Sequence, residues 1–192
     1  YNITNYIFIL YMELYQFNSS NLLNWITSFT IFEIPLVLFF LNISKKSDTV
    51  RNWYSGKNIS IFDVLIQDAC YGLCGIIIAL KIFTYLVSLN IINQSFIIFI
   101  LLLVCIQLIG DSLFALIITN WPMQYSTYWI KYFKTYISKA GINALIGDSI
   151  WITSWALTYY IVTNYFKSFD IKIFIISLFL FLASAYGVKK SL

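Results

Sequence analysis

Four carboxylates lie inside long apolar stretches of this chain, and they are the side chains best placed to do chemistry: Glu33, Asp68, Asp111 and Asp148. An Asp at the centre of a membrane-spanning helix costs about 2.5–3.5 kcal/mol on insertion scales, so each acid needs a compensating partner. Acids in such positions bind a proton or cation, accept hydrogen bonds from other helices, or face water. The pattern therefore predicts an intramembrane polar layer.

Composition supports a membrane protein. Hydrophobic residues make up 60% of the 192 positions and charged residues 10%, well below the roughly 25% charge of soluble domains. The net charge of +4 comes from basic residues at the ends of apolar runs, which favours contact with membrane lipids and argues against a nucleic-acid partner. With no His in the chain, the commonest metal ligand and neutral-pH acid–base group is missing. We expect no cofactor, no metal site and no enzymatic activity.

The three cysteines fall inside apolar runs. Cys70 and Cys74 are spaced to share a helix face, and Cys105 stands in a later apolar run. Cys behaves as a small hydrophobe in such surroundings. We expect these residues to be buried packing groups rather than a redox or metal-binding pair.

The elements that must position the acids are helices. Five segments are long enough to cross a hydrocarbon layer, which takes about 20 helical residues. The predicted fold is an all-α, polytopic transmembrane helix bundle (residues 22–192), preceded by an interfacial or outside segment (residues 1–21). The predicted spans are Leu22–Ile43, Ile61–Leu86, Phe96–Thr119, Ile142–Phe166 and Ile171–Val188.

With five spans, the loops on one side of the membrane are basic, and the loops on the other side are not. The loops after spans one and three and the tail after span five are basic, with Lys or Arg at positions 45, 46, 51, 57, 131, 134, 139, 189 and 190. The loop between spans two and three has no charge, and the next outer loop balances two Lys with one Asp. Because basic loops prefer the cytoplasmic side, we predict an outside N-terminus and an inside C-terminus.

The segment Gln124–Ala140 reads as an amphipathic helix on the inner surface. Apolar residues recur at helical spacing, at Ile130, Phe133, Ile137 and Ala140. Lysines at the surface of such a helix would contact lipid headgroups or a partner protein; the three candidates are Lys131, Lys134 and Lys139. An ordinary loop is the alternative interpretation.

A rise of 1.5 Å per residue places all four acids about 9–15 Å below the inner surface. Gln107 lies one turn from Asp111 on the same face, and Gln67 adjoins Asp68. We expect these amides to act as hydrogen-bond donors, with Ser112 and Ser149 adding hydroxyl groups. Lys139 and Arg51 are the expected counter-ions at the inner interface.

A short repeat supports a shared layer. Residues 108–112 and 145–149 both read Leu-Ile-Gly-Asp-Ser, in antiparallel spans. Glycine beside each Asp predicts a close approach of the helices, and Gly72 and Gly75 would act in the same way in span two. Pro35 follows Glu33 by two residues and removes a helical hydrogen bond, which predicts a kink beside that acid.

A resemblance extends over residues 61–160. It is carried by Asp68, Gly75, Ile76, Ile77, Ile78, Gln107, Asp111, Phe114, Pro122, Phe133, Lys134, Tyr136, Gly141, Ala144, Leu145, Asp148 and Ser149. On these residues the chain resembles uncharacterised multi-pass membrane proteins of giant, mimivirus-like DNA viruses. Members place a His before the third-span Asp, where this chain has Gly110. The resemblance implies a virion inner membrane or a host membrane; the AT-rich codon usage implied by the composition equally fits a mitochondrial inner-membrane subunit.

Two functions of different classes follow. The first is a non-enzymatic structural component of a viral or organellar membrane assembly, contacting membrane lipids and other membrane or scaffold subunits. The alternative is a proton or cation channel or transporter whose path is lined by the intramembrane acids. The two differ in what the carboxylates meet, namely hydrogen-bond donors in a dry core or a continuous wet cavity.

Overall fold

The computed structural model describes residue 15 and residues 18–42 and 60–191, and these residues form helices with no β-strand among them. The predicted all-α class is confirmed. Of the predicted N-terminal segment (residues 1–21), residues 15 and 18–21 are described: Tyr15 is buried against Phe83 and Phe99, and the first helix begins at Ser19, within the predicted segment. The rest of that segment and the basic residues at 45, 46, 51 and 57 lie outside the described residues. The α-helices are α1 Ser19–Asn42, α2 Ile61–Ser88, α3 Phe96–Asn120, α4 Tyr128–Ala140, α5 Ile142–Tyr165 and α6 Phe169–Ser191.

Local sequence signals explain where α2 and α3 end. Asn90 closes α2 with a φ of 55°, and the main-chain N–H groups of Asn90 and Ile91 bond back to the carbonyls of Val87 and Leu86. This is the Schellman arrangement, in which Asn can take the left-handed position. Helix α3 ends at Asn120, two residues before Pro122, because the residue before a proline is disfavoured in the helical region.

The amphipathic helix is shorter than the sequence indicated. A 3₁₀ turn occupies Met123–Tyr125, and α4 begins at Tyr128 rather than at Gln124. The reason is Thr127, whose hydroxyl oxygen accepts a hydrogen bond from the Ile130 N–H and so fixes the helix start. At the other end, Gly141 joins α4 to α5 with a φ of 52°, a conformation that costs glycine little.

The α1–α5 and α2–α3 pairs run antiparallel. In the α1–α5 pair, Trp25 contacts Tyr159 and Glu33 contacts Trp151. In the α2–α3 pair, Phe83 contacts Phe99 and Tyr71 contacts Asp111. Helix α6 packs on α1 and α2, and α4 packs across the end of α3 and against α5. The bundle therefore has one end where α2 passes to α3 and an opposite end covered by α4.

The first end holds an aromatic core, which we define as Trp25, Phe29, Phe83, Phe99, Trp155 and Tyr159; all six are buried. Trp25 stacks on Tyr159 with ring centroids 3.8 Å apart. The Trp155 indole N–H donates to the Trp25 carbonyl and to the Ser28 hydroxyl, both at 3.0 Å. These bonds satisfy the buried indole N–H of Trp155 and tie α5 to α1.

Of the described helices, α2 and α3 are both long and apolar enough to cross a membrane. Their outward faces remain apolar and uncovered: Ile97 is 71% exposed and Leu116 is 61% exposed. The cysteines lie on this uncovered surface, as free thiols that are all exposed. The prediction that they are buried is wrong, because the apolar runs in which they stand present one face outward.

Candidate functional site

Asp111 accepts hydrogen bonds from two donors, one on the neighbouring helix α2 and one a turn earlier on its own helix α3. The Tyr71 hydroxyl of α2 donates to Asp111 Oδ1 at 2.5 Å, and Gln107 Nε2 donates to the same oxygen at 2.9 Å. The predicted Gln107–Asp111 hydrogen bond is confirmed. The contact with Tyr71 was not predicted. Through it, Asp111 links α3 to α2.

Asp68, Asp111 and Asp148 converge on one residue of α4. Burial raises the pKa of the Tyr136 hydroxyl, and the carboxyl groups of Asp148, Asp111 and Asp68 raise it further. Asp148 is also near enough to Asp111 for their charges to interact. Tyr136 therefore stays protonated at neutral pH and lies over an acidic group contributed by three helices.

We call Gln67, Asp68, Tyr71, Gln107, Asp111, Tyr136 and Asp148 the polar cluster. Its members come from α2, α3, α4 and α5. Burial also raises the pKa of Tyr132, one turn before Tyr136, with contributions from Tyr136, Tyr128 and Asp68. Two phenolic hydroxyl groups of α4 thus stand on the acidic side of the bundle.

Glu33 lies on a different interface from the other three acids. It is fully buried in α1, and the Trp151 indole N–H of α5 donates to its Oε2 at 2.6 Å. Phe29 and Phe32 pack their rings near the same indole. Because Trp151 is one turn from Asp148, Glu33 is close in level to the polar cluster but faces the aromatic side of α5.

The side chain of Gln67 is hydrogen-bonded to α4. The Trp129 indole N–H donates to Gln67 Oε1 at 2.8 Å. The Trp129 ring lies between Phe114 and Phe133, with centroid distances of 5.7 and 4.7 Å. This contact, together with the Phe114–Phe133 pair at 5.1 Å, fixes α4 on α2 and α3. The apolar face of α4 therefore packs on protein.

The two serines of the repeat do not act as donors to the acids. Ser112 Oγ donates to the Leu108 carbonyl and Ser149 Oγ to the Leu145 carbonyl, each at 2.7 Å. The expectation that they add hydroxyl donors to the layer is wrong. A serine in a helix can always bond the carbonyl four residues earlier, and here both do so.

The three lysines of α4 have different surroundings. Lys134 Nζ donates to the Trp121 carbonyl at 2.5 Å, where a cation is favourable at the C-terminal end of α3. Lys131 and Lys139 are exposed. Among the described residues Lys139 makes no ion pair with an acid, so its predicted role as a counter-ion is wrong; Arg51 lies outside the described residues.

The close helix approaches predicted at the glycines are found at some of these positions and not at others. A Cβ on Gly72 would lie 2.1 Å from Trp155 Cζ3 and 2.9 Å from Trp151 Cη2, so the close helix approach predicted at Gly72 is confirmed. A Cβ on Gly110 would be 3.2 Å from the Tyr71 hydroxyl oxygen. At Gly147 nothing lies within 4 Å, so the predicted close approach there is wrong.

Sequence reasoning missed the aromatic donors. Tyr71 stands one turn after Asp68, and Trp151 one turn after Asp148. The usable signal was that a Trp or Tyr in an apolar span carries an N–H or O–H that must find an acceptor. Within the described residues no group of three Cys, Asp or Glu side chains is arranged to hold a metal ion. No protein family, curated protein or solved structure matches the chain.

Proposed function

We propose that this chain is a multi-pass membrane protein with five spans, an outside N-terminus and an inside C-terminus, and that its role is structural and non-enzymatic. The observation that carries the proposal is the uncovered apolar surface of α2 and α3. In water, contiguous apolar area of this kind would be a strong drive to associate. In lipid it is the surface that a span needs.

The distribution of exposure along α3 supports this placement. Ile97, Leu101, Ile109, Leu113 and Leu116 are each more than half exposed, and they follow one another at multiples of a helical turn, on the face turned away from the bundle. Inward-facing Phe99, Leu103 and Gln107 are buried. A core helix of a soluble protein would not leave its largest aliphatic side chains on the outer face.

Topology is tested by labelling single cysteines with a membrane-impermeant maleimide. Cys70, Cys74 and Cys105 are first replaced by Ala, and Asn93→Cys, Ser168→Cys and Gln124→Cys are then made one at a time. We expect Asn93→Cys and Ser168→Cys to react from one side of sealed vesicles and Gln124→Cys from the other. Reaction of all three from the same side would contradict the five-span topology.

The contacts of the acids support a structural role. Glu33 accepts from Trp151 across the α1–α5 interface, and Asp111 accepts from Tyr71 across the α2–α3 interface. Two open grooves lie between the described helices, one along α2 and α4 and one along α3 and α5, and none of the four acids lines either of them. The acids therefore act as interhelical acceptors in this proposal.

The exposed lysines and the viral resemblance suggest where the protein works. Lys131 and Lys139 project from α4 on the face that the described helices leave uncovered, as expected of a helix that contacts anionic headgroups or a scaffold subunit. We place the protein in a virion or virus-modified membrane on the resemblance noted above. Lys131→Gln with Lys139→Gln should weaken co-purification with a membrane scaffold, and unchanged co-purification would contradict this placement.

A proton or cation path is the second candidate, and one observation favours it. Asp111 Oδ2 is buried and accepts no hydrogen bond from a described residue, and Asp148 is close by. In liposomes loaded with a pH-sensitive dye, such a path predicts proton flux that falls in Asp111→Asn and in Asp148→Asn. No flux from folded wild-type protein would eliminate this candidate.

A further inference from the structure

An open groove of about 520 Å³ lies where the first turns of α2 and α4 meet; it shares Gln67 with the polar cluster, and none of the four intramembrane acids lines it. Its described lining combines polar side chains with the apolar Ile66. It is lined by Ser60, Asp63, Ile66, Gln67, Thr127, Tyr128 and Trp129. Both Ser60 and Thr127 are helix N-caps, so this groove collects two helix starts as well as one carboxylate and two aromatic rings.

The charge that the described lining residues give the groove is negative. Asp63 is the single charged residue among its described lining residues, and it is exposed in the first turn of α2. No salt bridge pairs it with a described residue. A carboxylate beside the rings of Tyr128 and Trp129 is the combination that binds an ammonium group, through charge and through the electron-rich ring faces.

The Trp129 ring is held in place. Trp129 is fixed by its hydrogen bond to Gln67 and by its contacts with Phe114 and Phe133. A site whose side chains are already ordered loses less entropy when it binds a ligand. The main-chain N–H groups in the first turns of α2 and α4 add donors that suit a phosphate beside the ammonium.

The apolar lining residue Ile66 indicates that the ligand has an acyl tail. Ile66 is 59% exposed, and it begins an exposed stripe along α2 that continues at helical spacing through Cys70, Cys74 and Ile78. A headgroup at Asp63 would leave an acyl chain lying along this stripe. In the proposed topology the groove is at the level of the inner headgroups, so the inference rests on that proposal.

We infer that this groove binds a phospholipid with a cationic headgroup, choline or ethanolamine, through Asp63 and the rings of Tyr128 and Trp129. Anionic lipids without an ammonium group are excluded by the Asp63 carboxylate. The lipid would bridge α2 and α4 and so fasten α4 to the bundle at the membrane surface.

The test is native mass spectrometry of protein released from bilayers that contain equal parts phosphatidylcholine and phosphatidylglycerol with identical acyl chains. Wild-type protein should retain phosphatidylcholine in preference. Asp63→Asn should lower that preference about tenfold, which corresponds to about 1.4 kcal/mol. Asp170→Asn, a first-turn acid of α6 outside the groove, is the matched control and should behave as wild type.

Tyr128→Leu removes a ring and keeps the acid, and it should reduce the preference by a smaller factor. Equal retention of the two lipids by wild type, or an unchanged preference in Asp63→Asn, would overturn the inference. Saturable binding of soluble phosphocholine by detergent-solubilised protein, at the affinity of the lipid, would overturn the assignment to a lipid. Cysteine labelling in the same bilayers separates this failure from a failure of the topology.

Discussion

The aromatic core and the polar cluster occupy opposite ends of the same bundle and are held together by different forces. In the aromatic core, Trp155 and Tyr159 are at most 2% exposed, and ring packing fills the space between α1, α2, α3 and α5. In the polar cluster, Tyr71 is 42% exposed and directional hydrogen bonds replace close packing. One end is fixed by shape and the other by the pairing of acids with donors.

This difference affects α4, the helix that covers the polar end of the bundle. At the polar end α4 docks through Trp129, which is hydrogen-bonded to Gln67 of α2 and packed on Phe114 of α3, and the open groove lies beside this contact. We therefore expect stability to depend mainly on the aromatic core, and interactions with lipid or partners to depend on the polar end.

The largest contrast is expected from truncating one tryptophan at each end. Trp155→Ala should lower the free energy of unfolding by about 3–5 kcal/mol, because it leaves a cavity between α1 and α5 and removes the indole hydrogen bonds to the Trp25 carbonyl and the Ser28 hydroxyl. Trp129→Ala should cost less, because that ring is only partly buried. Thermal unfolding of both variants in the same detergent measures the difference, and equal losses would break the comparison.

The next largest effect on stability is expected when each of two glycines is replaced by Ala. Gly72→Ala should destabilise the bundle by about 1–3 kcal/mol, because the new methyl group overlaps the indoles of Trp155 and Trp151. Gly147→Ala is the matched control on a helix with open space around it. It should be neutral or stabilise by up to about 1 kcal/mol through helix propensity. A loss in the control as large as that in Gly72→Ala would refute the packing argument.

A smaller effect is expected within the polar cluster. Tyr71→Phe removes the hydroxyl donor to Asp111 and should lower the free energy of unfolding by about 1 kcal/mol. Tyr85→Phe on the same helix is the control, because Tyr85 is 63% exposed near the other end of α2. If the two variants unfold at the same temperature, the Tyr71–Asp111 hydrogen bond does not stabilise the bundle.

The sequence predicted the helices better than it predicted the contacts between them. Long apolar runs, Pro122 and the capping residues set where helices begin and end, and these are local properties. Asp111 was assigned its Gln107 partner because that contact lies within one helix. Tyr71 and Trp151 were missed because their partners depend on the rotation of one helix about another, which a single sequence does not encode locally.

The predictions for Ser112, Ser149 and Gly147 failed, each because the contacts of the residue depend on more than its local sequence. Ser112 and Ser149 could donate either across the interface or to their own helix, and the intrahelical carbonyl is always within reach. The repeated Leu-Ile-Gly-Asp-Ser segments suggested equivalent surroundings, yet Gly110 faces Tyr71 and Gly147 faces open space. Identical letters in two helices give identical local geometry but not identical neighbours.

The central claim is that buried carboxylates hold helices together by accepting hydrogen bonds from aromatic donors. A double-mutant cycle on Glu33 and Trp151, with Glu33→Leu, Trp151→Phe and the combined variant, tests it most directly by thermal unfolding. We predict a coupling free energy of about 1 kcal/mol between the two positions. Additive losses, with coupling below about 0.3 kcal/mol, would contradict the account.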